Sequence, residues 1–160
     1  MKKIVFDSDG LIKLVKSGIF NMIQQECFIS EEVYEEAVIS GKKGFHDDAH
    51  QIEQYIQEKR IKVKNAERIK DMHGLGKGEI SALALFETIR ADAIVSDDAK
   101  FLALLEQERI PFVVPTEVIV ALVIHKHITE IQGVEALYKI KKLVRKENYE
   151  SALLALGGKK

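Results

Sequence analysis

Acidic side chains at the ends of apolar runs are the residues of this 160-residue chain whose types and spacing could do chemistry. Asp7 ends the run Ile4-Val5-Phe6 and is followed by Ser8-Asp9-Gly10. Far downstream, Ala93-Ile94-Val95-Ser96 runs in the same way into Asp97-Asp98. Glu79 follows the stretch Gly74-Leu75-Gly76-Lys77-Gly78 and opens a segment that is otherwise apolar, and Glu35 and Glu36 flank the apolar side of another. Carboxylates gathered in one crevice repel, and each raises the pKa of the next. A hard divalent cation such as Mg²⁺ or Mn²⁺ removes that cost, because such ions take oxygen ligands. An ion held in this way suits the attack of water on a phosphodiester. Taken singly, each acid has a structural explanation. Asp7, Asp9, Asp97 or Asp98 could cap a helix, Glu79 could favour a helix dipole, and Glu35 and Glu36 could be solvated surface.

The elements that must position these acids follow from the apolar pattern. Ile4–Phe6 reads as a buried parallel strand, which need not alternate. Leu11–Lys16 has helical spacing, Gly18 interrupts it, and Ile19-Phe20 with Met22-Ile23 predicts a second short helix. Cys27–Ile29 is a second strand. Ser30 is an N-cap followed by Glu31 and Glu32, which suit the positive end of a helix. That helix carries Val33, Tyr34, Ala37 and Val38 on one face and is expected to end at Gly41 and Gly44. A polar helix covers His46 to Lys59, with Ile52, Tyr55 and Ile56 as its inner stripe, and Ile61–Lys64 alternates like a strand. Asn65–His73 is polar and weakly patterned, and Gly74–Gly78 is a loop by composition. Ile80, Ala82, Leu83, Ala84, Leu85 and Phe86 are apolar on every side, which predicts a helix buried all round. After the strand ending at Ser96 come a helix with Phe101, Leu102, Leu104 and Leu105 and a strand at Phe112–Val114 between Pro111 and Pro115. Thr116 to Leu156 is helical in pattern, broken near Thr129 and Gly133. Strands alternating with helices give an α/β class with a mainly parallel sheet. In such sheets ligands bind beyond the carboxyl ends of the strands. If the strands ending at Asp7 and at Asp97-Asp98 are neighbours, their acids face one crevice.

Bulk properties set the frame. Hydrophobic residues make up 46% of the chain, which excludes a disordered protein. Lys and Arg number 24 against 25 Asp and Glu, for a net charge of −1, so overall charge neither demands nor excludes a nucleic-acid partner. The one cysteine, Cys27, cannot form an internal disulfide, and beside Phe28 and Ile29 it reads as a buried inert thiol. No leader or membrane-spanning stretch is evident, so a cytoplasmic protein is the simplest account. No repeat or linker divides the chain, and one domain over residues 1–160, with 116–160 as C-terminal helices, is expected.

The segments VFDSDGLIKL, ISEEVYEEAV, LGKGEISALAL and IVSDDAKF resemble, in this order, those of PIN-domain ribonucleases, most closely short prokaryotic members related to toxins of toxin–antitoxin pairs. The resemblance covers roughly residues 1–115. It implies a three-layer α/β/α fold with a central, mainly parallel sheet of four to five strands. It also implies a metal-dependent endoribonuclease whose acids hold Mg²⁺ or Mn²⁺ and activate water. The family's acids fall on Asp7, on Glu36 in the pattern V-Y-x-E, on Glu79 in G-x-G-E, and on Asp98, with Ser96 in place of a threonine. Helical geometry alone does not choose between Glu35 and Glu36; the resemblance picks Glu36. Asp97 could be a further ligand, a supporting group or a cap, and Asp9 could add to the site. After Pro115, PTEVIVAL departs from the pattern that related chains often show. The expected partners are RNA, an antitoxin protein and a second copy of the chain.

Two other functions compete. Phe6-Asp7-Ser8-Asp9-Gly10 looks like the D-x-D signature of haloacid dehalogenase-like phosphatases, with Asp7 as nucleophile, Asp9 as acid/base and Asp97-Asp98 binding metal. Leu11 is unusual for that family, and Glu79 has no role in it. A non-catalytic binding module could instead dock a partner through Leu143, Val144, Leu153, Leu154 and Leu156. His46 and His50 share a helix face, as a zinc pair would, without the glutamate of H-E-x-x-H or an evident third ligand. The glycines around Lys77 fail the P-loop spacing. Lys59, Arg60, Lys62 and Lys64, and Lys139, Lys141, Lys142, Arg145 and Lys146, could track an RNA backbone, although a solvated face explains each cluster as well.

Overall fold

A computed structural model of the chain describes residues 1–44, 46–66 and 74–157. Most of the polar segment Asn65–His73 therefore lies outside the described residues. The elements alternate from the start. They are β1 (Lys3–Phe6), α1 (Ser8–Lys16), β2 (Glu26–Ser30), α2 (Glu31–Tyr34), α3 (Gly41–Lys43), α4 (Asp47–Gln57), β3 (Ile61–Lys64), α5 (Lys77–Ile89), β4 (Ala93–Val95), α6 (Ala99–Gln107), β5 (Phe112–Val113), α7 (Pro115–Ile124), α8 (Glu130–Ile140) and α9 (Lys146–Ala155). Five strands form one sheet in the order β3-β2-β1-β4-β5, and every pairing is parallel. The expected mainly parallel sheet is thus wholly parallel.

β1, β2, β4 and β5 split their apolar residues between two cores, which is why their runs do not alternate, whereas Ile61 and Val63 of β3 alternate and face one core. Ile4, Phe6, Cys27, Ile29, Ile61, Ala93 and Val95 point to one face, packed on α1, α4 and the C-terminal helices through Leu11, Leu14, Ile52, Ile119 and Leu137. Val5, Phe28 and Ile94 point to the other face, covered by α5 and α6 through Ala82, Leu83, Leu85, Phe101 and Leu105. The result is three layers, helices over sheet over helices. Burying one such aliphatic or aromatic side chain stabilises the fold by roughly 1.5–3 kcal/mol. Cys27 is buried, and burial pushes its thiol up to about 12, so it packs and does not react.

The structure differs from the sequence pattern in four places. The predicted short helix near Phe20 is a single 3₁₀ turn, Phe20–Met22. The helix after Ser30 does not stop at Gly41. It widens into a π-helical stretch at Glu35–Ser40 and continues as α3, ending at Gly44. The loop predicted for Gly74–Gly78 is shorter, because α5 starts at Lys77 with Gly76 as its N-cap. Gly133 is not a break but lies inside α8. A Cβ there would come within 2.5 Å of Val123 and 3.0 Å of Leu156, so glycine lets α7, α8 and α9 approach closely. Thr129 is the N-cap of α8, its hydroxyl accepting from the Gln132 N–H at 3.1 Å.

Candidate active site

Strand order reverses at β1. The chain lays β2 and β3 on one side of it and then crosses to put β4 and β5 on the other. The carboxyl ends of β1 and β4 therefore meet at a topological switch point, where open α/β sheets form their ligand crevice. Register places Phe6 opposite Val95, so Asp7 and Ser96 leave their strands side by side. The Asp7 N–H donates to the Val95 carbonyl at 3.2 Å.

Asp7 is 2% exposed. One carboxyl oxygen caps α1, accepting from the Gly10 N–H at 2.8 Å, and the other accepts the hydroxyl hydrogen of Ser96. Gly10 is needed here, since a Cβ would come within 2.5 Å of the Val95 carbonyl and drive α1 off the sheet. Burial pushes the Asp7 carboxyl up to about 7. The Ser96 and Gly10 hydrogen bonds oppose that rise, and the charges of Asp9 and Glu79 add to it.

Glu79 lies in the first turn of α5, its carboxylate accepting from the Gly76 N–H at 3.0 Å. Its pKa is also raised, by partial burial first, against the Gly76 bond, and then by the charges of Asp98 and Glu36. Asp98 caps α6, accepting from the Phe101 N–H at 2.9 Å, while its own N–H donates to Ser96 Oγ at 3.2 Å. Ser96 thus ties Asp7 and Asp98 together. Glu36 receives the Ser8 hydroxyl at 2.8 Å and lies directly over the Cα of Gly78, the neighbour of Glu79. Beneath it, Ser30 caps α2 at 3.1 Å from the Val33 N–H and meets Ser81 of α5 at 2.6 Å, which fixes α2 against α5.

The structure therefore places Asp7, Glu36, Glu79 and Asp98 on four separate elements near the β1–β4 switch point, close enough that Glu79 acts on Asp7, and Asp98 and Glu36 on Glu79. Glu36, Glu79 and Asp98 each have one oxygen held by a local hydrogen bond, and the other has no protein partner among the described residues. None of the four forms an ion pair with a basic side chain among those residues. Asp7 and Asp98 also serve as the N-caps of α1 and α6. Of Glu35 and Glu36, it is Glu36 that receives the Ser8 hydroxyl and acts on Glu79, and both lie in the π-helical stretch, where the angular spacing that periodicity assumes does not hold. Among the described residues, no three carboxylates, imidazoles or thiols converge closely enough to ligate one ion directly.

Asp97 is buried and separate in character. Lys13 Nζ lies 2.7 Å from its Oδ2 and 3.0 Å from Asp9 Oδ2. Neither Lys13 nor Ser8 stood out in the sequence. The i,i+4 spacing of Asp9 and Lys13 was a readable signal, whereas the partner 84 residues away was not. The remaining candidates lie elsewhere. His46 precedes α4 and is exposed, as is His50, while Asp48 between them pairs with Lys16 at 2.8 Å. Lys62 pairs with Glu26 at 2.9 Å, and Lys141 lies over the Tyr149 ring. Of the apolar C-terminal residues, Leu156 is buried and Leu143 and Leu154 are exposed.

The family model DUF3368, described as a PIN domain, matches residues 3–156, so the chain belongs to the PIN-domain family and has a nuclease-type fold. No curated protein matches the chain. No helix among the described residues is long and apolar enough to cross a membrane.

Proposed function

We propose that the protein is a metal-dependent endoribonuclease that hydrolyses RNA phosphodiester bonds with Mg²⁺ or Mn²⁺ held at Asp7, Glu36, Glu79 and Asp98. The observation that carries the reading is the gathering of four carboxylates about the β1–β4 switch point, none of them in an ion pair among the described residues, although the Lys100 charge acts on Glu79. The donor set fits a hard cation. Mg²⁺ keeps several waters and needs only one or two direct carboxylates, which agrees with acids that share a crevice without closing on a point. When bound, the ion lowers the pKa of its water and offsets charge on the phosphate. The chain's own residues do the rest. The Ser96 hydroxyl fixes the Asp7 carboxyl, Ser8 fixes Glu36, and the first turns of α5 and α6 fix Glu79 and Asp98. Each leaves carboxylate lone pairs for an ion or its hydration shell. Metal binding must also displace the proton that burial keeps on Asp7 near neutrality.

The same reading extends to a cytoplasmic toxin held in check by an antitoxin protein, with the whole chain one domain and two copies forming a dimer. Exposed Ile131 and Tyr138, seven residues apart on α8, support a protein contact there. The phosphatase alternative loses support from the family membership and from Asp9, whose carboxylate is taken up by Lys13. The test is cleavage of RNA by the purified protein in Mn²⁺, abolished by chelation. Hydrolysis of a small phosphomonoester with RNA left intact would favour the phosphatase and end the nuclease reading.

A further inference from the structure

The acids around the crevice fall into two groups, and Lys13 divides them. Asp7, Glu36, Glu79 and Asp98 have no ion-pair partner among the described residues, whereas Asp9 and Asp97 share one ammonium. That ammonium is well shielded, its side chain 13% exposed against 2% for Asp97. Burial pulls the Lys13 pKa down, but the hydrogen bonds to Asp97 and Asp9 more than reverse this, so the charge persists. Asp97 keeps one oxygen, Oδ1, buried without a hydrogen-bond partner. A buried acceptor left unmet is unfavourable. Lys13 reaches only Oδ2, so Oδ1 and the vacated Oδ2 are what a cation would take once the ammonium is removed. The Lys13 pair also lies against the main cluster. Asp9 acts electrostatically on Asp7, and Asp97 follows Ser96, the residue that holds Asp7.

We propose that Lys13 is a positioning residue whose ammonium occupies the place of a second cation, so that the site takes one divalent ion and not two. The inference rests on the nuclease reading. In two-metal hydrolases the ions lie about 3.5–4 Å apart and clamp the attacking and leaving oxygens together. An ammonium supplies positive charge and up to three hydrogen bonds but cannot activate water as a metal does. Being tethered, it persists when the divalent ion leaves, and it keeps Asp97 compensated in the metal-free protein. Without it, two carboxylates remain, one almost wholly buried. A buried charge left unpaired is strongly unfavourable, and an all-oxygen pair of this kind takes a hard cation.

The experiment counts Mn²⁺ ions bound per chain at saturation, by the loss of the free-ion electron paramagnetic resonance signal. Wild type and Lys13→Arg bind one ion, Lys13→Met binds two, and Lys13→Met combined with Asp97→Asn returns to one. Two ions in wild type, or one in Lys13→Met, overturn the inference. The second of these results leaves the nuclease reading intact. Absence of Mn²⁺ binding in both proteins removes that reading and this inference together. Should Lys13→Met fail to fold without metal, Mn²⁺ restores its native circular dichroism. A failure to do so, while the double variant folds, also overturns the inference.

Discussion

The two ends of the sheet treat their acids in opposite ways. At the amino ends, Asp92 accepts from the backbone N–H groups of Lys3 and Lys2, at 2.8 and 2.7 Å, and Glu26 pairs with Lys62. Those hydrogen bonds hold both carboxyls below their usual range. At the carboxyl ends, burial and neighbouring acids push Asp7 and Glu79 upward. The first arrangement ties strands and termini down. The second works against the folded state, and uncompensated carboxylates of this kind mark functional sites. One sheet, with one parallel register, thus carries tied-down acids at one end and crowded, raised acids at the other.

The comparison can be broken most severely by neutralising acids at each end. Glu79→Gln, Glu36→Gln and Asp98→Asn should each lower Mn²⁺-dependent RNA cleavage by about 100-fold or more, beyond the 10–100-fold typical of residues that merely support metal ligands. Asp92→Asn should leave the cleavage rate within about 2-fold, since asparagine keeps an acceptor oxygen for the Lys2 and Lys3 N–H groups at an exposed site. Equal losses at both ends would erase the distinction. Ser96→Ala comes next. It removes the hydroxyl that orients Asp7 and meets the Asp98 N–H, and should cost roughly 10–100-fold in rate or metal affinity, measured by titration. Ser96→Thr should retain most of both.

Gly78→Ala sharpens the contrast between stability and function. Alanine favours a helix by up to about 1 kcal/mol over glycine, yet its Cβ would overlap the Glu36 carboxylate. Glu36 is exposed and can shift, so the thermal midpoint should hold while cleavage falls about 10-fold, the lower end for a displaced ligand. A separate effect, on stability and not on rate, is in pH dependence. The Asp7 carboxyl has its ordinary pKa of 3.8 when unfolded and about 7 when folded. Between those values the native state holds a proton that the unfolded chain has released, so the metal-free protein loses stability as pH rises through this window. Asp7→Asn removes that loss. The stability of the variant relative to wild type should therefore grow by a few kcal/mol across the window, at about 1.4 kcal/mol for each pH unit, read by urea unfolding. Saturating Mn²⁺ should restore wild type at the high end. No pH trend in the difference would mean that Asp7 is not buried as the structure has it.

Much of this was legible in the sequence because strand and helix patterns here agree with their tertiary roles. Ile4–Phe6 and Ala93–Val95 are apolar throughout because helices cover both faces, and the acids after them stand at strand ends by simple order in the chain. The π-helical turn at Glu35–Ser40 was invisible, since periodicity assumes a regular helix, and so the choice of Glu36 needed family likeness or coordinates. Gly133 misled because glycine breaks helices by propensity, whereas here a close contact with Val123 requires it. The role of Lys13 was hidden because its stronger partner, Asp97, is distant in sequence. A solvated lysine and a buried bridging one look alike in a string of letters.

The central claim is that Asp7, with its neighbours, holds a divalent ion that drives RNA hydrolysis. Its most direct test is cleavage of structured and unstructured RNA in Mn²⁺ by wild type and Asp7→Asn prepared in parallel. Cleavage by wild type alone, lost on chelation and restored by Mn²⁺, is the predicted result. Equal cleavage by the two proteins, or none by wild type in any divalent metal, would contradict it.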